Sequence, residues 1–134
     1  MKRLILPAIL LITILGSSFR CNKGEHSNNH QLTGKLVIQA ACGHFVIQVL
    51  KGDIDPSNVI ASYTDSGSNK TYTNVFTVKN NCSFEKLHMP YDTPFTFELD
   101  PNGKDETCVW CFIYYPVPGV YNGVKNVNQI RALD

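Results

Sequence analysis

The chain has 134 residues, of which 43% are hydrophobic and 17% are charged, and its formal net charge is +1. This length suits one folded domain and excludes two of ordinary size. Because lysines and arginines are few and spread singly, charge gives no case for nucleic acid or an anionic membrane surface as a partner.

Residues 1–20 are predicted to be a signal peptide. Lys2 and Arg3 form a short positive region, and residues 4–15 are almost wholly apolar. A helix of this apolar length would measure about 18 Å, too short for a hydrocarbon core of about 30 Å. A cleaved leader therefore fits better than a membrane span, and the small residues at 16–18 place one cleavage site after Ser18.

A second cleavage site lies directly before Cys21. A cysteine that closely follows an apolar leader and precedes a polar stretch resembles the signal of bacterial lipoproteins, as in many Bacteroidota. The resemblance is confined to this leader and the following tether, and Arg20 departs from the usual lipobox. It implies that Cys21 is lipidated and anchors the chain to a membrane. Secretion after cleavage at Ser18 is the alternative.

Residues 21–33 are polar and lack hydrophobic periodicity, so they are predicted to be a flexible tether. His26 and His30 in this tether are interpreted as solvated side chains and not as metal ligands. Removal of the leader would leave nine lysines and arginines against eleven aspartates and glutamates, a net charge of −2. The exported chain would thus have no basic surface either.

Residues 34–134 are predicted to form a single all-β domain. Short runs rich in Val, Ile, Thr and aromatic residues alternate with turn sequences, at 35–41, 44–50, 59–63, 71–79, 93–99, 107–115 and 124–133. Gly43, between the first two runs, indicates either a tight turn or a bulge. Residues 80–91 are irregular with a helical turn at 83–88, and residues 121–123 are predicted to turn.

The number and spacing of these strands favour a small OB-like barrel or a β-sandwich of six or seven strands. The barrel is preferred because the opening run is long and interrupted by a glycine, and because an irregular piece divides the strands. Strand alternation in 71–79 predicts that Tyr72 and Asn74 share a face with Phe76 and Val78.

Four cysteines fall within the predicted domain, namely Cys42, Cys82, Cys108 and Cys111. In an exported chain their expected state is disulfide-bonded. Lipidation of Cys21 would account for the fifth cysteine. The favoured pairing is Cys42–Cys82 with Cys108–Cys111, and the two other pairings stay open.

Cys108 and Cys111 form a C-x-x-C sequence, for which a redox pair is the alternative to a structural disulfide. A reactive thiol needs a helix N-terminus or a cation, whereas the neighbouring residues indicate a strand. In a regular strand the two Cα atoms would lie about 10 Å apart, beyond the bridging limit of about 7 Å, so this pair would close only across a turn. A structural disulfide is preferred, and one C-x-x-C does not make a zinc site.

No catalytic residue, metal site or cofactor is predicted. The serines lie outside any G-x-S-x-G sequence, and His44 and His88 are the only histidines of the domain. Acidic pairs such as Asp53 and Asp55 lack the ligand spacing of a calcium loop. The chain is therefore predicted not to be an enzyme.

Aromatic residues concentrate around the prolines at 116 and 118. Trp110, Tyr114, Tyr115 and Tyr121 are expected either to pack in the core or to form a binding surface for a glycan or a partner protein. The favoured function is a non-catalytic binding or structural module of the cell envelope or surface.

The alternative function is a small inhibitor of a hydrolase. Ser66-Gly67, followed by Tyr72, resembles the Ser-Gly-x-x-Tyr loop of one family of periplasmic lysozyme inhibitors, with the tyrosine two places later. The resemblance implies a periplasmic inhibitor of a lysozyme-like hydrolase.

Overall fold

The computed structural model describes residues 30–104 and 113–130. Within them the chain forms β1 (Leu32–Ala40), β2 (His44–Lys51), a 3-10 turn (Pro56–Asn58), β3 (Ile60–Thr64), β4 (Thr71–Val78), α1 (Asn81–Glu85), β5 (Pro94–Asp100) and β6 (Tyr121–Gln129). The predicted leader, Cys21, Cys108, Trp110 and Cys111 lie outside the described residues. In the described part, no helix has the length and apolarity that crossing a membrane requires.

The six strands form one sheet that closes on itself. Its order is β2-β1-β5-β6-β4-β3, and an additional pairing of β2 with β4 joins the ring. Neighbouring strands are antiparallel except for β4 and β6, which run parallel. The ring therefore has five strands, and β3 extends one wall outside it through its pairing with β4.

This topology confirms the predicted all-β fold. Because the sheet closes through the pairing of β2 with β4, the architecture is a barrel and not a sandwich. When β3 is set aside, the parallel pair joins the third and fifth strands of the ring, and α1 connects the third strand to the fourth. A five-stranded Greek-key barrel is the architecture of the OB-fold. The structure is thus an OB-like barrel with one extra strand.

A tight hairpin begins the barrel. Ala40 pairs with His44, so residues 41–43 make the loop between β1 and β2. Cys42 and Gly43 have φ angles of 66° and 73° in this loop. Glycine adopts such angles without steric cost. Of the two alternatives for Gly43, the tight turn is therefore correct.

Five phenylalanine rings run through the interior of the barrel. Ring centroids lie 5.3 Å apart for Phe45 and Phe84, 6.1 Å for Phe84 and Phe95, 5.8 Å for Phe95 and Phe97, and 5.9 Å for Phe97 and Phe76. These tilted contacts lie within the favourable range for aromatic pairs. The remaining interior side chains are aliphatic or thioether: Leu32, Leu36, Ile47, Val49, Val78, Met89 and Val124.

A bulge in β1 builds a second apolar cluster on the outer wall of the barrel. Residues 36 and 38 of β1 pair with the consecutive β2 residues Ile47 and Val46, so β1 carries one inserted residue. Such an insertion interrupts the alternation of faces. Val37 and Ile38 therefore both join Val46 and Val75 in an outer cluster.

The face predicted for Tyr72 is wrong. Tyr72 packs against the outer cluster, whereas Phe76 and Val78 belong to the interior. Asn74 has a φ of 52°, a left-handed conformation that asparagine tolerates better than most residues. The regular alternation of β4 stops there, which puts Tyr72 on the outer wall.

Three predicted boundaries are also wrong. The predicted tether of residues 21–33 extends too far, because Leu32 and Thr33 already belong to β1 and Leu32 is buried in the interior. Residues 121–123, expected to turn, are the beginning of β6, because Tyr121 already pairs with Thr77 of β4. Residues 113–115, expected to end a strand, belong to no strand, and the rest of that predicted run lies outside the described residues. The last strand ends at Gln129.

Residues 113–118, here called the strap, cross the outer wall. The Tyr115 hydroxyl donates to Asp65 Oδ1 at 2.7 Å. The carbonyls of residues 116 and 118 accept from Tyr63 Oη and Thr77 Oγ1, each at 2.8 Å. Tyr115 and Val117 also pack on the outer cluster. The strap is therefore fixed to β3 and β4 along its length.

Candidate functional site

A cleft of about 360 Å³ opens on the outer wall, between the second half of β1, the β3–β4 turn and the strap. Its aliphatic lining residues are Val37 and Ile38, which are buried, and Ala40 and Ala41 at the end of β1. Three tyrosines line it, namely Tyr72 from β4, Tyr91 from the segment before β5, and Tyr115 from the strap. We call it the tyrosine cleft. Its size falls within the range of small-ligand sites.

Polar side chains reach the tyrosine cleft from the end of β1 and from the β3–β4 turn. Gln39 belongs to β1, and Asp65 and Ser68 belong to the turn. Asp-Ser-Gly-Ser is typical turn chemistry, since an aspartate accepts from the backbone two residues further on. Gly67 is needed there, because a Cβ at this position would lie 2.6 Å from Tyr115 Oη.

Asp65 is only 4% exposed, and both of its carboxylate oxygens are engaged. Oδ1 accepts from Tyr115 Oη at 2.7 Å and from the Gly67 N–H at 3.2 Å. Oδ2 accepts from the hydroxyl of Ser68 at 2.6 Å and from its N–H at 3.1 Å. A carboxylate has about four lone-pair sites. The chain itself occupies all of them, so Asp65 anchors the strap and offers no acceptor to a ligand.

The pKa of Asp65 reflects two opposing causes. Burial raises it, but the hydrogen bonds from Ser68, Tyr115 and the backbone of the turn together outweigh burial and hold the pKa below its ordinary value. Asp65 is therefore ionised at neutral pH. A general acid or base needs a pKa near the working pH, so this carboxylate is suited to holding the strap and not to proton transfer.

The hydroxyls of Tyr63, Tyr91 and Tyr115 stay protonated at neutral pH, because each pKa is raised. The hydrogen bond to Asp65, followed by burial, raises the pKa of Tyr115 to about 12. A hydrogen bond with the side chain of Tyr72, followed by burial, raises the pKa of Tyr91. Burial, followed by the charge of Asp65, raises the pKa of Tyr63. Tyr91 and Tyr115 thus bring neutral phenols to the tyrosine cleft.

Ionisation of Tyr115 is expected to weaken the fold in alkali. Its folded pKa of about 12 exceeds the ordinary 10.0, so its bond to Asp65 contributes fully below pH 10.0 and is lost as the pH rises towards 12. The lowered pKa of Asp65 acts in the opposite direction, and its contribution is lost in acid, below about pH 4. Urea unfolding between pH 7 and pH 12 measures the alkaline part.

In that measurement Tyr115→Phe should lose less stability above pH 10.0 than the wild type does, since it has no hydroxyl to ionise. Tyr121→Phe is the matched control and should follow the wild type. An identical alkaline loss in Tyr115→Phe and wild type would contradict the bond between Tyr115 and Asp65.

A slightly larger cavity, of about 410 Å³, lies beside the start of β1 and the end of β5. Its charged lining residues are Asp53, Asp55, Glu98 and Lys125. None of the described residues around it is a phenylalanine, tyrosine or tryptophan. Across 30–104 and 113–130, no three His, Cys, Asp or Glu side chains are grouped to hold a metal ion. The tyrosine cleft is therefore the stronger candidate site.

The aromatic residues predicted to form a binding surface lie in different places. Tyr115 lines the tyrosine cleft. Tyr114, its neighbour on the strap, is 86% exposed, and Tyr121 is 54% exposed at the start of β6, where it does not line the cleft. Trp110 lies outside the described residues.

The cysteine predictions concern residues that the structure describes only in part. Cys42 lies in the turn between β1 and β2, and Cys82 lies in α1. Cys21, Cys108 and Cys111 lie outside the described residues. The disulfide pairing and the lipidation of Cys21 stay predictions.

Sequence reasoning misses Asp65 and Tyr91 as site residues, and it singles out Tyr72 only through the resemblance to an inhibitor loop. Alternation assigns Tyr72 to the core face, and Tyr91 sits in an irregular stretch that carries no periodic signal. The turn at Asp65 does carry one, because an aspartate before Ser-Gly-Ser favours a side-chain-capped turn. That signal predicts the turn but not its contact with the strap.

No protein-family model matches the chain, and no curated protein or solved structure shows significant similarity to it. The fold and the site nevertheless define a class, an OB-like barrel with a tyrosine-lined cleft on its outer wall.

Proposed function

We propose that the chain is an exported, non-catalytic binding module of the cell envelope or surface, and that its ligand binds in the tyrosine cleft. The observation that carries this proposal is that one partly apolar cleft is lined by three tyrosines, Tyr72, Tyr91 and Tyr115. Tyrosine provides stiff contact area with a polar end. Largely apolar walls with a few placed polar groups are the usual form of a ligand site.

The position of the cleft in the barrel supports the proposal by analogy. OB-folds bind ligands on the face of their second and third strands, between the loops that join strands one and two and strands four and five. The corresponding elements here are β2, β4, the 41–43 loop and the connection from β5 to β6. Three of these elements line the cleft: the 41–43 loop through Ala41, β4 through Tyr72, and the β5–β6 connection through Tyr115. The analogy concerns place only, since a fold does not determine function.

The predicted leader and Cys21 support the exported location. Lipidation of Cys21 would tether the barrel to a membrane, and cleavage after Ser18 would release it. The tyrosine cleft serves as the binding site in either case, because it is built wholly from the barrel and the strap.

The proposal is tested by the affinity of the purified mature chain, residues 21–134, for an immobilised envelope fraction. Tyr91→Ala removes a ring that is 52% exposed in the cleft, and Tyr121→Ala removes one that is 54% exposed elsewhere. We expect Tyr91→Ala to raise the apparent Kd about tenfold, or about 1.4 kcal/mol, as loss of an aromatic anchor does. Tyr121→Ala should bind like the wild type. Equal affinities of all three proteins would refute the site.

The hydrolase inhibitor is the second candidate. The turn that holds Ser66 and Gly67 is exposed, and hydrogen bonds to Asp65 fix its backbone beside the cleft. A rigid exposed loop is the form that an inhibitory segment needs. Inhibition of a lysozyme by the wild type that disappears in Ser66→Ala would favour this candidate over the binding module.

A further inference from the structure

Among the described residues that line the tyrosine cleft, Asp65 is the one carboxylate, and it is not available to a ligand. Four donors of the chain itself saturate Asp65, as the distances of 2.6 to 3.2 Å show. A bound cation would have to displace Tyr115, Gly67 or Ser68 from those oxygens. The cleft is therefore not built to recognise an ammonium or guanidinium group.

The described residues bring no positive charge to the lining of the cleft either. No lysine, arginine or histidine is among the described residues that line it. Lys35, further back on β1, is paired with Asp92 at 2.7 Å. Phosphates and carboxylates are normally held by cations that contact their oxygens. The lining therefore does not suit a nucleotide, a nucleic acid or an acidic glycan.

The groups that remain are neutral and can both donate and accept hydrogen bonds. They are the hydroxyls of Tyr72 and Tyr91 and the side-chain amide of Gln39. Gln39 is exposed, and its side chain has no hydrogen bond to the described residues. Such groups match the hydroxyls of a sugar, which also donate and accept without charge.

Apolar surface completes the match with a sugar. The tyrosine rings give the cleft accessible apolar surface beside its polar groups, whereas Val37 and Ile38 are only 2% and 5% exposed. A pyranose ring presents C–H groups on one face and hydroxyls at its rim, so it needs both kinds of surface at once.

We infer that the ligand of the tyrosine cleft is a segment of uncharged glycan. This inference rests on the proposed function and names its ligand class. The rings of Tyr72 and Tyr91 contact the sugar faces, and Gln39 bonds to sugar hydroxyls. Asp65 and Tyr115 act as positioning residues that hold the strap side of the cleft.

The experiment is a binding screen of the mature chain against defined oligosaccharides of three kinds. The kinds are neutral hexose and N-acetylhexosamine oligomers, uronic or sialic acid oligomers, and deacetylated amino-sugar oligomers. We expect binding to a neutral oligomer with a Kd that is unchanged between about 50 and 500 mM NaCl, a range over which the Debye length falls about threefold. Tyr91→Ala and Gln39→Ala should each weaken it about tenfold or more, and Tyr121→Ala should not.

The other outcomes separate the inference from the proposed function. Preference for an acidic or amino-sugar oligomer, with affinity that falls as salt rises, would overturn the neutral class and leave the binding module standing. The chain could instead bind no oligosaccharide but bind a protease-sensitive envelope component in a Tyr91-dependent way. That result would overturn the neutral glycan, leave the binding module standing and identify a protein as its partner. Absence of any Tyr91-dependent binding, to oligosaccharides and to envelope alike, would overturn both.

Discussion

Replacing Asp65 by alanine is expected to lower the free energy of unfolding by about 3 kcal/mol. Four donors lose their acceptor at once, and hydrogen bonds to a charged group contribute about 1.5 to 3 kcal/mol. The expected loss stays near about 3 kcal/mol, the upper value for one such bond, because residues 66–68 can reorient some of their donors towards water. Urea unfolding at pH 7, with a check that the slope is unchanged, measures the loss.

Two further variants make the Asp65 result specific. Tyr115→Phe removes one of the four bonds to this carboxylate and should cost about 1.5 kcal/mol. Asp55→Ala removes an exposed carboxylate whose hydrogen bonds all come from Ser57, including one from its N–H at 2.8 Å, and it should cost less than Asp65→Ala. If Asp65→Ala proves no more harmful than Asp55→Ala, the strap is not anchored as described.

Replacing Cys42 or Cys82 by alanine is expected to cost about 2 to 4 kcal/mol each in the oxidised protein. A disulfide that closes a loop of some tens of residues restricts the unfolded chain by about this amount. The measurement is denaturant unfolding with and without reductant. Reductant should bring the wild type down to the level of the variants. If the free energy of unfolding of the wild type is the same with and without reductant, these cysteines are not cross-linked.

The double variant Cys42→Ala/Cys82→Ala decides between the pairings. If Cys42 and Cys82 are bonded to each other, the double variant costs no more than either single one, because one bond is lost in every case. If each is bonded to Cys108 or Cys111, the two costs add. The first result would uphold the favoured pairing, and the second would overturn it.

The sequence patterns predict the fold well where strands follow simple alternation. The first hairpin, the strand at Thr71–Val78 and the strand at Pro94–Asp100 all lie where the β-rich runs place them. Alternation fails where the backbone leaves regular strand geometry. The bulge at Val37 and the positive φ of Asn74 each reverse a face, and neither is visible from hydrophobic periodicity.

The candidate site is harder to predict because its parts are distant in the chain. Tyr115 and Asp65 are separated by 50 positions, and Tyr63 and the carbonyl of residue 116 by 53. Composition singles out Tyr115 through its aromatic neighbours, but it cannot say which of them meet. Tyr91 reaches the cleft from an irregular segment, so only the closed barrel brings it beside Tyr72.

The parallel pairing of β4 with β6 has a consequence for how the chain matures. β6 (Tyr121–Gln129) pairs with both β4 and β5. Each of those two strands therefore has an unpaired backbone edge until β6 has been synthesised. Because a ribosome delivers the chain from its N-terminus, the earlier strands are synthesised before β6. A chaperone that shields exposed strands during this interval should improve the yield of native protein, whereas premature termination before Tyr121 should leave material prone to edge-to-edge aggregation.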